Sequence, residues 1–435
     1  MLHPLLDSAF EAFFTAEIRW SLLRLPSVIG ARDGGDVDLL VALNDLERAQ
    51  NCLEKLGFVN VSPYRRGVQR QFLAYHRPTD CWLCLDIVTE LSFGRHNSLR
   101  TRAEEQCLAR RQYQRGIPRL APDDDFWVLV AHCLVDKGHI AERHRISLQK
   151  LLRHARSDGP IADSLRKLSV SGWSLSHVLS CVAAADWTTL ENIAPALAAA
   201  VLKQHKFVPL QMINLRLSRL IDYARNLRRN RGLGVALLGP DGAGKTTLML
   251  SIQRSFMLPV RPVYMGLTGG LLRYIGMLHL PGIVFLGRLL VFWSRYLLAQ
   301  YHQACGRLVV FDRYIYDAMV PHPERLNWLR RASRWADGHA CPGPDLILVL
   351  DAPGAVMYAR KREYSAATLE EWRHYFLALQ QRFSQVEIVD TTRDQDAVRI
   401  DVIDRIWQRY VSRSRKNSAM GNQRMKPTGV ASTVP

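Results

Sequence analysis

The chain has 435 residues, 48 % apolar and 23 % charged, which is the ordinary globular range and excludes a wholly disordered or fibrous protein. Eight scattered cysteines in a chain this long do not suit a disulfide framework. The opening MLHPLLDSAF has neither a basic n-region nor an A-x-A cleavage site, so a reducing, cytoplasmic setting is expected. The formal net charge of +18 is uneven: residues 216–231 carry six arginines against Asp222, and residues 411–435 carry five basic residues and no acid. Such runs suit an anionic surface, a membrane being the candidate here. No aromatic interleaving or groove-reading motif accompanies them, so no specific nucleic acid is expected.

Residues 1–115 read as an α+β domain. Asp36 to Val41 is a strand, and Asn44 to Gly57 a helix with an Asn44/Glu47 capping box and a glycine at its end. Residues 69–77 and 81–89 read as a hairpin across Arg77-Pro-Thr-Asp80. The run Gly34-Gly-Asp36-Val-Asp38-Leu-Leu-Val resembles the G-[GS]-D-x-D strand of nucleotidyltransferase-fold proteins, over about residues 20–95. Strand alternation puts Asp36 and Asp38 on one face, and Asp86 lies on the second hairpin strand. The resemblance implies that these three carboxylates hold Mg²⁺ for nucleotidyl transfer. The sequence departs from that family ahead of D-x-D, where Gly30-Ala31 stands in place of a Gly-Ser helix start. An active transferase and a substrate-binding or degenerate module are both open.

Residues 116–231 read as helical, with apolar spacing in FWVLVAHCLV and ISLQKLLRHA, and end in the arginine-rich linker helix. Two weaker motifs are set aside. Cys81-Trp-Leu-Cys84 has no second pair, and a strand sends its two sulfurs to opposite faces. His132, His139 and His144 lack the i, i+4 spacing that a helical metal site favours. The most lipid-like segment, residues 277–293, is interrupted by Pro281 and Arg288 and is too short to span a bilayer; it reads as a buried or interface-facing helix.

From residue 234 the pattern changes. Apolar runs at 235–239, 262–266, 308–312, 346–351 and 386–390 alternate with helical stretches, which argues for a parallel sheet covered on both faces. A basic, disordered tail is expected over 413–435. The overall class is therefore α/β.

The loop Gly239-Pro240-Asp241-Gly242-Ala243-Gly244-Lys245-Thr246-Thr247 fits G-x4-G-K-[ST], follows a strand and opens a helix. Its glycines let backbone N–H groups turn inward as an anion nest, and the helix directs its positive end at the same point. Lys245 then reaches the β- and γ-phosphates of ATP, and the Thr246 hydroxyl is a ligand for Mg²⁺. Asp312, closing the strand LVVFD, faces the same crevice and is a second Mg²⁺-handling group; Arg313 is placed to hold a phosphate of the acceptor.

With Asp312-Arg-Tyr314, Pro344-Asp-Leu, Asp351 and Arg360 in order, residues 232–410 resemble the thymidylate kinase family of P-loop nucleoside monophosphate kinases. The resemblance implies a parallel five-stranded core, γ-phosphoryl transfer from ATP to a small acceptor, a lid near Ala359-Arg-Lys-Arg362 with Arg360 as a catalytic arginine, and often a homodimer. Ile315-Tyr-Asp-Ala-Met and Tyr264-Met-Gly-Leu depart from the family, so dTMP as acceptor carries over poorly. A nucleotidyltransferase with an ATP-sensing P-loop and a non-catalytic ATP-binding protein at a membrane surface are the alternatives.

Overall fold

The structure is a computed structural model that describes residues 2–24, 36–61, 69–95, 97–204, 232–266, 281–321 and 328–423. It forms two compact units, Met1–Tyr223 and Ala224–Pro435. The arginine-rich stretch 216–231 lies outside the described residues.

The N-terminal unit begins with the helix Pro4–Thr15. Proline occupies its first turn, His3 Nδ1 accepts the Leu5 N–H at 3.2 Å, and Leu6, Ala9, Phe10 and Phe13 fall on one stripe. Trp20, 1 % exposed, lies against Phe10 and Phe13 with ring centroids 4.6 and 5.8 Å away.

The strands are β1 (Trp20–Arg24), β2 (Val37–Val41), β3 (Val59–Asn60), β4 (Gln69–His76), β5 (Cys81–Val88), β6 (Ser92–Phe93), β7 (Leu99–Arg100), β8 (Gln112–Gln114) and β9 (Ile117–Arg119). Seven form one sheet in the order β3-β4-β5-β2-β1-β9-β8, while β6 and β7 pair separately. β2 and β5 run parallel with Asp38 opposite Asp86, and β4 and β5 form the expected hairpin. Its turn is a 3-10 turn, Arg77–Thr79, closed by Asp80 at φ 47°.

Alternation sorts the residues of β2 and β5. Val37, Leu39 and Val41 join Cys81, Leu83, Leu85 and Ile87 in a core shared with Pro4–Thr15 and with the helix Leu46–Lys55. Leu40 and Val88 belong instead to a core with Phe126, Trp127, Leu148, Ile161 and Leu197 of the helical region. The expected seam at residue 115/116 therefore falls inside one packed unit, because a sheet with two apolar faces needs cover on both. The expected capping box is absent as well. Asp45 is the N-cap and makes no capping bond; its carboxylate accepts from Arg19 N at 3.0 Å and from Arg48 Nη1 at 3.0 Å.

In the C-terminal unit the strands are β10 (Gly234–Leu238), β11 (Val260–Tyr264), β12 (Leu308–Asp312), β13 (Leu346–Asp351) and β14 (Val386–Asp390). They form an all-parallel sheet in the order β11-β12-β10-β13-β14. Every residue of β10 is buried, as a central strand covered on both faces requires. The fold class is thus α/β, as expected.

The lipid-like segment becomes the helix Pro281–Ala304, with residues 277–280 outside the described part. Pro281 starts this helix rather than breaking it. Arg288 reaches Asp337, 0 % exposed, at 3.4 Å. Phe292 and Ala299 are buried, whereas Leu286, Leu290, Trp293, Leu297 and Tyr301 are exposed along one stripe. Among the described residues no helix is long and apolar enough to cross a membrane. The final helix runs from Gln395 to Gln423, so the first part of the expected disordered tail continues a helix; residues 424–435 lie outside the described part. Val402, Ile403, Ile406, Trp407, Tyr410 and Val411 anchor this helix through their burial.

One buried acid makes stability depend on pH. Asp124 is 1 % exposed, with Arg110 Nη1 3.5 Å away, and desolvation followed by the neighbouring Asp123 raises its carboxyl to about 6. The folded chain then holds a proton that the unfolded chain releases between roughly pH 4 and 6. The stabilisation this gives is full below the unfolded value and is lost as pH rises through the folded one. Asp124→Asn should raise the thermal midpoint at pH 7 and flatten part of the loss between pH 5 and pH 7, measured by thermal unfolding at both.

Candidate functional site

The loop after β10 owes its path to glycines. Gly239 and Gly242 have φ of 146° and 88°. A Cβ on Gly242 would stand 2.5 Å from the Met357 carbonyl oxygen, and one on Gly239 2.8 Å from that of Leu350. The chain then enters the helix Lys245–Ser255, whose first-turn N–H groups lack helical acceptors. Thr246 and Thr247 are exposed on that first turn.

Lys245 is 9 % exposed, and its Nζ donates to the carbonyls of Gly239 at 2.7 Å and Pro240 at 2.9 Å. Desolvation lowers its pKa against the pull of Asp317 and Asp241. Asp241 gathers cations: Arg313 Nη2 at 3.2 Å, Lys245 Nζ at 3.8 Å and Lys361 Nζ at 3.9 Å. Asp312 ends β12 in register with Leu237 of β10, and its charge is felt at Lys245. Arg313 follows at φ 64°, an uncommon conformation for a non-glycine residue. The parallel register thus brings the loop, Asp312 and Arg313 to one edge of the sheet.

Two hollows flank the loop. One, of about 210 Å³, is lined by Pro240, Lys245, Arg313, Asp317, Arg334 and Trp372, among others. The other, of about 140 Å³, includes Gly244, Thr247, Arg360, Thr391 and Arg393. Arg360 is held there, donating to the Thr391 carbonyl at 2.8 Å and the Gly242 carbonyl at 3.5 Å. Lys361, the next residue, reaches Asp241 instead, its Nζ 3.9 Å from Oδ1.

Asp317 joins the site without any motif in the sequence to mark it. Its carboxylate accepts the Tyr314 N–H at 2.8 Å, and burial raises its pKa against the pull of Lys245. The Asp-Arg-Tyr…Asp spacing alone does not reveal it, because a short 3-10 turn, Ile315–Met319, is what folds it back toward the loop.

The N-terminal carboxylates divide. Asp38 pairs with Arg24 Nε at 2.8 Å. Asp36, Cys84 and Asp86 instead bring ligand atoms within 4.8 Å of one another. Asp86 is raised to about 6 by desolvation first and then by Asp36. Cys81 faces the opposite core, as alternation requires, so no Cys81–Cys84 pair forms. Among the histidines, His132 Nδ1 lies 3.1 Å from Asp136 and His144 Nδ1 3.3 Å from Cys133 Sγ; they form no metal cluster among the described residues.

No curated protein sequence matches the chain. Among solved structures, thymidylate kinase from Candida albicans is similar at 19 % identity and a TM-score of 0.33, over 43 % of this chain and 93 % of that one. Residues 21–187, which include Asp36, Asp38, Asp86 and much of the helical region, match the family model described as an uncharacterised nucleotidyltransferase.

Proposed function

We propose that the C-terminal domain is an ATP-dependent phosphotransferase, moving the γ-phosphoryl to a nucleoside monophosphate or a related small acceptor. The observation that carries this reading is the loop itself. A lysine ammonium sits enclosed on loop carbonyls, inside a turn that only glycines can make, beside Asp312, Arg313 and Asp317. This donor set fits a polyphosphate and its cation. The helix N-terminus and Lys245 bind the phosphates, and Thr246 and Asp312 would hold Mg²⁺. The ion supplies neutralisation of charge on the phosphates when bound.

The chain's own residues do the positioning. Arg313, tethered by Asp241, presents a guanidinium to the larger hollow, where an anionic acceptor would enter. Arg334 lines the same hollow while donating to the Ala318 carbonyl at 2.7 Å. Arg360 fixes the Gly242 turn. Phosphoryl transfer asks little covalent chemistry of a protein, so alignment and fixed charge account for the rate.

Lys245→Ala should lower Mg·ATP-dependent transfer at least roughly 100-fold without loss of fold. The measurement is a phosphoryl-acceptor screen with dTMP, other nucleoside monophosphates, sugars and sugar phosphates. Wild-type turnover in the variant would overturn the reading. Gly242→Ala should weaken ATP binding and cost about 1 kcal/mol or more, from its positive φ and from the Met357 carbonyl. Calorimetric titration with ATP and thermal unfolding read both effects.

The family match over residues 21–187 favours a second reading, nucleotidyl transfer by the N-terminal domain. It predicts that Asp86→Asn abolishes pyrophosphate release from nucleoside triphosphates while sparing the Lys245-dependent reaction. Unchanged pyrophosphate release in Asp86→Asn would exclude it.

A further inference from the structure

The carboxylate cluster differs from the trio expected in the sequence, and the difference changes its chemistry. Asp38, expected beside Asp36 in the metal-holding pair, already has its cation: Arg24 Nε lies 2.8 Å from Oδ2. Its place beside Asp36 and Asp86 is taken by Cys84, two residues before Asp86 on the same face of β5.

Asp86 is 6 % exposed. Its Oδ2 accepts from Gln69 Nε2 at 2.6 Å, while its Oδ1 is buried with no partner. A buried, orphaned carboxylate oxygen is costly, more so with a second carboxylate near it. Asp36 is exposed and Cys84 is 6 % exposed, so the cluster is buried at its base and open at its mouth.

We propose that Asp36, Cys84 and Asp86 form a mixed oxygen–sulfur site for a divalent cation of the zinc class, and that it prefers this class to Mg²⁺. Zinc lies about 2.3 Å from sulfur and about 2.0–2.2 Å from oxygen, so tetrahedral donors stand roughly 3.3–3.7 Å apart. Donor atoms all within 4.8 Å of one another need only small rotations to reach that spacing. Mg²⁺ demands octahedral oxygen, and a sulfur in the set selects against it. Binding forms one metal–sulfur bond and releases the Cys84 thiol proton to solvent; no electron is transferred. Three protein donors leave a fourth position for water or a substrate oxygen. The site stands independently of whether the N-terminal domain transfers nucleotidyl groups, because cation binding is read without turnover.

The test uses the full chain, stripped with chelator and titrated with Co²⁺, Zn²⁺ and Mg²⁺. One equivalent of Co²⁺ should give a thiolate-to-cobalt charge-transfer band in the near ultraviolet. Zn²⁺ should displace it, and a large excess of Mg²⁺ should not. Cys84→Ser should lose the band and weaken Zn²⁺ binding at least tenfold, whereas Cys52→Ser, a half-buried cysteine on the helix Leu46–Lys55, should keep both. Should Cys84→Ser fail to fold, Asp36→Asn at an exposed position provides the second reading: the band persists but Zn²⁺ affinity falls. A cobalt spectrum without the thiolate band, full competition by Mg²⁺, or wild-type Zn²⁺ affinity in both variants would overturn the proposal.

Discussion

Enclosing the Lys245 ammonium at the end of β10 sets the terms for the C-terminal domain. A cation buried there without partners would cost several kcal/mol. The loop answers with two carbonyls at hydrogen-bond distance and with the carboxylates of Asp241 and Asp317 nearby. That answer forces the loop to close tightly on itself, which places Gly242 against the Met357 carbonyl and excludes a side chain there. The same tightness leaves the N-terminus of the helix Lys245–Ser255 facing outward with its donors uncommitted by the helix. The burial of Lys245 and the outward-facing helix N-terminus therefore draw on one geometry.

The neighbouring strands complete it. β12 and β13 flank β10 in a parallel sheet, so their C-terminal ends arrive at the loop together. Asp312 and Arg313 come from one, Asp351 from the other. Asp351 is engaged by Arg373 Nε at 2.5 Å and Nη2 at 3.1 Å, a forked pair that ties the helix Ala366–Ala378 to the sheet. Aromatic side chains of that helix then wall the larger hollow, with Trp372 Nε1 donating to the Pro321 carbonyl at 3.2 Å. The cationic side chains of Lys245, Arg313 and Arg334 thus face a space whose other side carries Trp372 and Phe376.

The N-terminal domain has the converse electrostatic problem. Negative groups gather on the β2–β5 face, and the protein neutralises them unequally. Asp38 receives an arginine, Asp86 receives half of its hydrogen bonds, and Asp36 keeps its contact with water. Among the described residues, Asp86 Oδ1 is thus left buried without a partner beside the exposed Asp36.

Much of this was legible in the order of residues. Each of the five apolar runs after residue 234 overlaps one of the five strands; the three inner strands β10, β12 and β13 are apolar nearly throughout because both of their faces are covered, whereas the edge strands β11 and β14 are partly exposed. The loop at 239–247 was legible because its demands are local: positive φ at fixed places and a lysine one turn along. Asp36 and Asp38 sharing a face, and Cys81 and Cys84 parting, followed from the two-residue period of a strand. What the sequence could not decide were pairings across long separations. Arg24 against Asp38, Asp317 folded back beside Lys245, Arg360 bracing Gly242, and Cys84 beside Asp36 each depend on which elements become neighbours. Neither the period of a strand nor the spacing of a motif encodes that; only the packing of whole sheets and helices does.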